Sequence, residues 1–330
     1  MSVGMQQASR RPFYSHERDV SWQTPLEGQH APRASASECP SEILLASGAA
    51  AGVVSRTLTA PLDRVKCLMQ VGSSSCRRIE AARPLQTLSA IYASGGYRGF
   101  FQGNGANLIK VIPEASIRFW AYDRTRLLVC ADKARPTFPE RLAAGAVAGL
   151  TSCLFTYPLE LVKTRIAVGG ALQYHSVWHC LHHTASTEGV RALYKGLPTA
   201  LVGIIPFSAI DLGLYETFKA RLHARDAAAR PLSVRETLAC GGAASVVAQL
   251  CTYPLALAKT RLQASGMAGQ ERYAGLADCL GRAWRAGGLL GLFNGFTPNL
   301  LKALPSMSIG YVVFEWTKAS LLRLRASRRD

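Results

Sequence analysis

The sequence predicts an all-α membrane protein: six transmembrane helices from three tandem two-helix repeats. Three observations predict it. Pro61, Pro158 and Pro254 stand 97 and 96 residues apart in matching settings, APLDRVK, YPLELVK and YPLALAK. A glycine turn follows each, at Gly103, Gly196 and Gly295, and then an acid–x–x–base step begins at Asp123, Glu216 and Glu315. Three series in the same order define a repeat of roughly a hundred residues, and such self-similarity sets the fold before local propensity does. Each proline also closes a mostly apolar run (EILLASGAAAGVVSRTLTAPL, RLAAGAVAGLTSCLFTYPL, TLACGGAASVVAQLCTYPL). These runs have about the 20 residues that a bilayer crossing needs.

Composition agrees. The 330 residues hold 38 Lys+Arg against 21 Asp+Glu, a net charge of +17, and 18% are charged. Ordinary soluble domains carry roughly 25%. A hydrophobic share of 48% excludes disorder for most of the chain. Few charges with a positive excess suit a membrane protein that meets anions. Nine cysteines are scattered (Cys39, Cys67, Cys76, Cys130, Cys153, Cys180, Cys240, Cys251, Cys279) with no C-x-x-C. That is neither a disulfide framework nor a zinc ribbon, and small buried thiols in a reducing compartment are expected. The first residues, MSVGMQQASRRPFYSHERDV, lack the apolar core of a secretory signal, and their acids make a poor transit peptide.

The repeats divide the chain. Residues 1–40 form a tail expected to be disordered, residues 41–132, 133–229 and 230–323 are the repeats, and residues 324–330 are a basic tail. Each repeat reads as helix, polar stretch, helix. The second helix is apolar but carries isolated charges, as in NLIKVIPEASIRFWAYDRTRLLV. Small residues recur four apart at Gly48/Gly52, Gly145/Gly149 and Gly241/Ser245, and such faces let helices approach closely in lipid. A soluble bundle would need a polar stripe on each helix, which these segments lack. Every span holds a proline: Pro61, Pro158 and Pro254 in the first helices, Pro113, Pro206 and Pro305 in the second. Proline breaks helices in water. In a membrane bundle the freed carbonyls find other partners and kinked helices can converge.

These motifs resemble those of the mitochondrial carrier family, P-x-[DE]-x-x-[KR] on odd helices and [FY]-[DE]-x-x-[KR] on even ones. The first two odd copies are complete, Pro61-Leu-Asp63-Arg-Val-Lys66 and Pro158-Leu-Glu160-Leu-Val-Lys163; the third, ending at Lys259, has Ala256 in place of its acid. The glycine-turn motif is complete in the second repeat, Glu188-Gly189 to Tyr194-Lys195-Gly196, whereas Gly95 and Gly287 replace its acid elsewhere. The resemblance covers roughly residues 41 to 323. Within the family, QYHSVWHCL, VGIIPFSAIDLGLYETFK, the acid-free PLALAKTRLQ and SIGYVVFEWTK look like the ATP-Mg/phosphate carriers. About 40 residues precede the first span, without a D-x-[DN]-x-[DN]-G calcium loop. The resemblance is therefore to the short, calcium-independent members.

A charge inside a bilayer costs at least about 2.5 kcal/mol, so it faces water or a partner. Lys110, Glu114 and Arg118 share one helix face at i, i+4 and i+8. Alignment on the prolines makes Lys110, Gly203 and Lys302 equivalent, and likewise Arg118, Asp211 and Gly310. Matching positions that differ suggest a cargo without threefold symmetry. Phosphates suit Lys110, Arg118 and Lys302, while Gly203 with Ile204 offers an apolar notch. In nucleotide carriers the resemblance places adenine at that pair. Glu114 and Asp211 either touch cargo through Mg²⁺ or balance charge, and Arg56 is a further candidate for the same cavity. An intrahelical Lys110–Glu114–Arg118 ladder is the plainer alternative.

The resemblance implies two gates. On the matrix side Asp63 would pair with Lys163 and Glu160 with Lys259, while Lys66 faces the position of Ala256. Gln70 and Gln263 occupy the family's bracing positions. On the cytosolic side the ring is Asp123, Arg126, Glu216, Lys219, Glu315 and Lys318. Two rings closed in alternate states supply the bistable element of alternating access.

His175, His179, His182 and His183 have helical spacing that could hold a metal, but surface histidines are the simpler expectation, and no metal site is expected. Basic residues after the odd helices (Arg77, Arg78, Arg83, Lys163, Arg165, Arg261, Arg272) fit a matrix orientation and anionic lipid. The turns at Gly103, Gly196 and Gly295 open helices and could hold cardiolipin phosphates. No nucleophile–base constellation or P-loop occurs, so an antiporter rather than an enzyme is expected. It would work as a monomer in the inner membrane, exchanging ATP-Mg or ADP for phosphate, with Mg²⁺ only as part of the cargo. A coenzyme A carrier is the nearest alternative. A non-transporting scaffold is another, and the long apolar spans argue against nucleic-acid binding.

Overall fold

A computed structural model describes residues 41–72, 84–129, 137–225 and 233–326. The calls on residues 1–40, on Arg77, Arg78 and Arg83, and on Cys39, Cys76 and Cys130 fall outside them. Nine α-helices are described: α1 (Ser41–Val71), α2 (Pro84–Gly99), α3 (Asn104–Val129), α4 (Phe138–Gln173), α5 (Val177–Glu188), α6 (Leu197–Arg225), α7 (Val234–Ala264), α8 (Leu276–Gly291) and α9 (Phe296–Ala326). No strand occurs among the described residues.

Six helices are long, from 26 residues in α3 to 36 in α4, and each contains its proline. At a rise of about 1.5 Å per residue, even α3 crosses a hydrocarbon core of about 30 Å. Apolar windows fit for membrane crossing run through Ala143–Gly169, Val190–Leu222 and Glu236–Ala264. The other three long helices match in length but not in hydropathy; α3 carries Lys110, Glu114, Arg118 and Asp123 along its middle.

Each polar stretch contributes a short helix, α2, α5 or α8, packed against the odd helix before it. Ser176 caps α5 by accepting the His179 amide at 3.0 Å. Trp178 and Trp284 stand exposed on α5 and α8, where amphipathic rings suit a membrane interface. α2 and α8 kink at Gly96 and Gly288, where φ is positive.

The closest pairings are α3 with α4, α6 with α7 and α9 with α1, joining each even helix to the first helix of the next repeat. The odd helices α1, α4 and α7 also meet one another. Their contacts lie beyond the prolines, so the kinked C-terminal halves converge and close one end. Gly103, Gly196 and Gly295, all with positive φ, begin the even helices at this end. A Cβ there would lie 2.8 Å from the Lys163 carbonyl, 3.2 Å from that of Lys259 and 3.2 Å from that of Lys66, respectively. Glycine is therefore required both by backbone conformation and by contact.

Candidate functional site

The closed end is held by acids on the converging helices. Glu160 pairs with Lys259, and Asp63 Oδ2 lies 3.9 Å from Lys163 Nζ, an ionic contact too long for a hydrogen bond. Both acids also meet an even helix: Lys110 Nζ is 3.4 Å from Glu160 Oε2, and Lys302 Nζ is 2.8 Å from Asp63 Oδ1. The cross-helix neighbours of Lys110 and Lys302 could not be read from spacing, because that contact depends on how α3 packs on α4 and α9 on α1.

Beneath the ions lies a brace. Gln70 and Gln263 are fully buried. Gln70 Nε2 donates to Tyr253 Oη at 3.0 Å and Gln263 Nε2 to Tyr157 Oη at 3.2 Å. Thr260 and Thr164 donate to the respective amide oxygens. Arg261 donates to the Gln70 carbonyl at 2.8 Å and Arg165 to that of Gln263 at 3.2 Å. The third seam, between α1 and α4, differs. Its equivalents of tyrosine and glutamine are Ala60 and Ala167, and Leu68 stands in the arginine register. Arg64, one turn earlier on the same face, donates to the Ala167 carbonyl at 3.2 Å and also to that of Gly99. A small hollow remains there, lined by Ala60, Cys67, Gln102, Asn104 and Ala167 among others.

On α3, Glu114 accepts from Arg118 at 2.8 Å and lies 3.5 Å from Lys110, so the intrahelical ladder is present. Lys110 reaches beyond it to Glu160. Arg118 Nε is buried and makes no hydrogen bond among the described residues. Ser152 donates to the Glu114 carbonyl at 2.9 Å, tying α4 to α3. Gly203 sits across from Leu255, with room for a Cβ at 3.7 Å, and Ile204 beside it is partly exposed. Asp211 does not join the α3 charges: it is buried and accepts from Ser245 on α7 at 2.7 Å.

Arg56 meets Asn107 at 3.4 Å. Gln249 and Asn299, in the same proline register, meet at 2.6 Å. The sequence reading missed Asn107, Gln249 and Asn299, and extending the proline alignment by one more position would have found them. Asp123, Arg126, Glu216, Lys219, Glu315 and Lys318 lie on the C-terminal halves of α3, α6 and α9, towards the end opposite the closed one. Outside the spans, Glu188 accepts from Arg165 at 2.5 and 3.0 Å and from Lys195 at 2.5 Å. Burial opposes its charge, yet these bonds prevail and hold the carboxyl at about 2. His175, just before α5, lines up with His179 and His183 on its exposed face, with ring centroids 5.6 and 6.0 Å apart.

The family model described as "Mitochondrial carrier protein" matches residues 40–133, 134–226 and 230–325. The "Mitochondrial adenyl nucleotide antiporter SLC25A24" of Bos taurus is 40% identical over 280 residues, covering 84% of this chain and 58% of the relative. "Calcium-binding mitochondrial carrier protein SCaMC-2-A" of Danio rerio is 39% identical over 283 residues, 84% of this chain and 59% of the relative. "Putative calcium-binding mitochondrial carrier F55A11.4" of Caenorhabditis elegans is 40% identical over 287 residues, 84% of this chain and 47% of the relative. The chain thus spans about half the length of these relatives. Three matched repeats and helices paired in a closed ring lead to one conclusion: the chain belongs to the mitochondrial carrier family, multi-pass proteins of the mitochondrial inner membrane.

Proposed function

We propose that the protein is an antiporter, not an enzyme, that exchanges adenine nucleotides, as ATP-Mg or ADP, for phosphate by alternating access. The observation that carries this reading is the asymmetry of matching positions: Lys110 and Lys302 on two even helices against Gly203 and Ile204 on the third. Two ammonium groups and the Arg118 guanidinium offer charge-assisted bonds to phosphoryl oxygens. The buried Arg118 Nε is a donor that the described residues leave unused. The Gly203–Ile204 notch suits a flat, neutral base. Relatives named adenyl nucleotide antiporters support the same cargo.

Glu114 would balance Arg118 and Lys110, or touch the cargo phosphates through the Mg²⁺ that travels with the nucleotide. Asp211, turned to Ser245, would secure the α6–α7 seam rather than touch cargo. The Asp63 and Glu160 pairs would be the matrix gate, and the acid–base ring on α3, α6 and α9 the cytosolic one. Cardiolipin phosphates would sit at the helix N-termini after Gly103, Gly196 and Gly295, and the carrier would act as a monomer.

The test is counter-exchange in liposomes loaded with ATP-Mg, ADP, phosphate or coenzyme A. Uptake of labelled ATP-Mg against internal phosphate is expected. Strong coenzyme A exchange without phosphate exchange would favour the runner-up, and no exchange with substrate-free folding intact would favour a scaffold.

A further inference from the structure

The seam between α6 and α7 is closed in its middle, where Ser245 Oγ lies 2.7 Å from Asp211 Oδ1. Phe218 and Leu222 follow on the same face of α6, at i+7 and i+11 from Asp211. There the seam opens. A hollow of about 310 Å³ is lined by Phe218, Arg221, Leu222, Ala239, Cys240 and Ala243. Small side chains cause it, since Ala239, Cys240 and Ala243 are too short to fill the space beside Phe218 and Leu222. Its size lies at the lower end of ligand cavities, roughly 300–1,000 Å³.

The hollow opens to lipid. Ala239 and Ala243 are exposed, and the same face of α7 runs on through Val247 and Leu250, 39% and 45% exposed. Ala244, Ser245 and Ala248 are buried, and Gln249, on another face, meets Asn299 of α9. The hollow also straddles the edge of the bilayer, because the apolar window of α6 ends at Leu222 and that of α7 begins at Glu236. Arg221 stands at this border. It is exposed and forms no ion pair with a described residue. Glu236, the acid at the start of α7, is engaged there, accepting the Ser233 amide at 2.8 Å.

We propose that the hollow binds one anionic phospholipid of the leaflet at the end opposite the closed one. An acyl chain lies between α6 and α7, and Arg221 takes the phosphate. Hydrocarbon contains no water to fill an apolar gap, and a chain supplies the contacts that Phe218, Leu222 and the two alanines lack. A guanidinium holds a phosphate through paired charge-assisted hydrogen bonds. Arg221 has no carboxylate beside it, so an anionic headgroup complements it. A zwitterionic headgroup suits it less, because it brings a cation of its own. The lipid thus joins the second repeat to the third at a level where their own side chains leave a gap.

The test places the full chain in phosphatidylcholine vesicles with a trace of phosphatidylglycerol that carries a photoreactive diazirine in its acyl chain. Labelled peptides are then mapped. Labelling of residues 218–222 and 239–243 is expected, several-fold above that from phosphatidylcholine with the same tail. Arg221→Glu should lower it several-fold, and Ala243→Phe should abolish it by filling the hollow, while labelling elsewhere on the chain stays unchanged. Equal labelling by the two lipids, or labelling indifferent to Arg221→Glu, would show ordinary bilayer contact and overturn the proposal. Where Ala243→Phe fails to fold, Arg221→Glu alone decides, since replacing an exposed side chain without an ion pair leaves the fold intact. Displacement of the label by palmitate but not by unlabelled phosphatidylglycerol would make a free fatty acid the occupant, which likewise overturns it.

Discussion

Arg64 Nε donates to the Ala167 carbonyl at 3.2 Å, doing for the α1–α4 seam what Arg165 and Arg261 do for the others from one helical turn later. Its guanidinium also takes the Gly99 carbonyl, which anchors α2. Arg64→Ala would remove a charged donor from two carbonyls, those of Ala167 and Gly99. Hydrogen bonds from charged groups contribute about 1.5–3 kcal/mol each. The expected result is a clearly lower melting temperature, with Arg64→Lys recovering only part, because a compact ammonium cannot copy the planar fork. Equal melting of Arg64→Ala and the unmodified protein would show that the seam is held elsewhere.

Glu188 offers a test by pH. Its folded value, about 2, lies below the ordinary 4.5. A lowered carboxyl contributes stability that is fully present above 4.5 and is lost as pH falls through about 2. The melting gap between the unmodified protein and Glu188→Gln should be constant near neutrality and shrink below pH 4.5. A gap that stays constant down to pH 3 would count against the Arg165–Glu188–Lys195 cluster as a stabilising unit.

Gly203→Trp separates base from phosphate. A Cβ at Gly203 would meet Leu255 at an ordinary 3.7 Å, and an indole there would fill the notch while leaving Lys110, Arg118 and Lys302 in place. ATP-Mg homo-exchange should fall at least tenfold, and phosphate homo-exchange should change far less. Equal losses would sink the notch as the base site.

The α6–α7 seam has Gly203 in the register of Lys110 and Ala256 in that of Glu160, so the lysine–acid pair of the other two seams is missing there. Gly203→Lys and Ala256→Asp together should melt higher than the sum of the single changes predicts. The expected coupling is about 1 kcal/mol, as for partly exposed ion pairs. Exchange by the double variant should slow, since the α6–α7 seam would then have an added ion pair to break. Purely additive melting would show that the two positions do not meet.

The proline register made much of this legible. It fixed the repeats and the spans, because helix phase and repeat phase together determine which residues share a level, while the family resemblance pointed to the Asp63–Lys163 and Glu160–Lys259 pairs that are present. It could not show side-chain choice. Arg118 and Asp211 share a register, yet one bonds Glu114 on its own helix and the other Ser245 on the next. Arg64 escaped notice because it sits one turn off the pattern it replaces. The short helices read as polar stretch, since α2 and α8 carry several glycines and α5 is rich in histidine and threonine.

The glycine seats have a directional consequence. Gly103 rests on the backbone of Lys163, Gly196 on that of Lys259 and Gly295 on that of Lys66. Each repeat therefore touches the gate lysine of the repeat that follows it, and the last touches the first. The contacts run one way around the ring like the links of a closed chain. A shift of any one repeat displaces the next lysine's main chain, which passes the movement on until it returns to its origin. Such a loop has no free end, so the three repeats are joined through one closed set of backbone contacts.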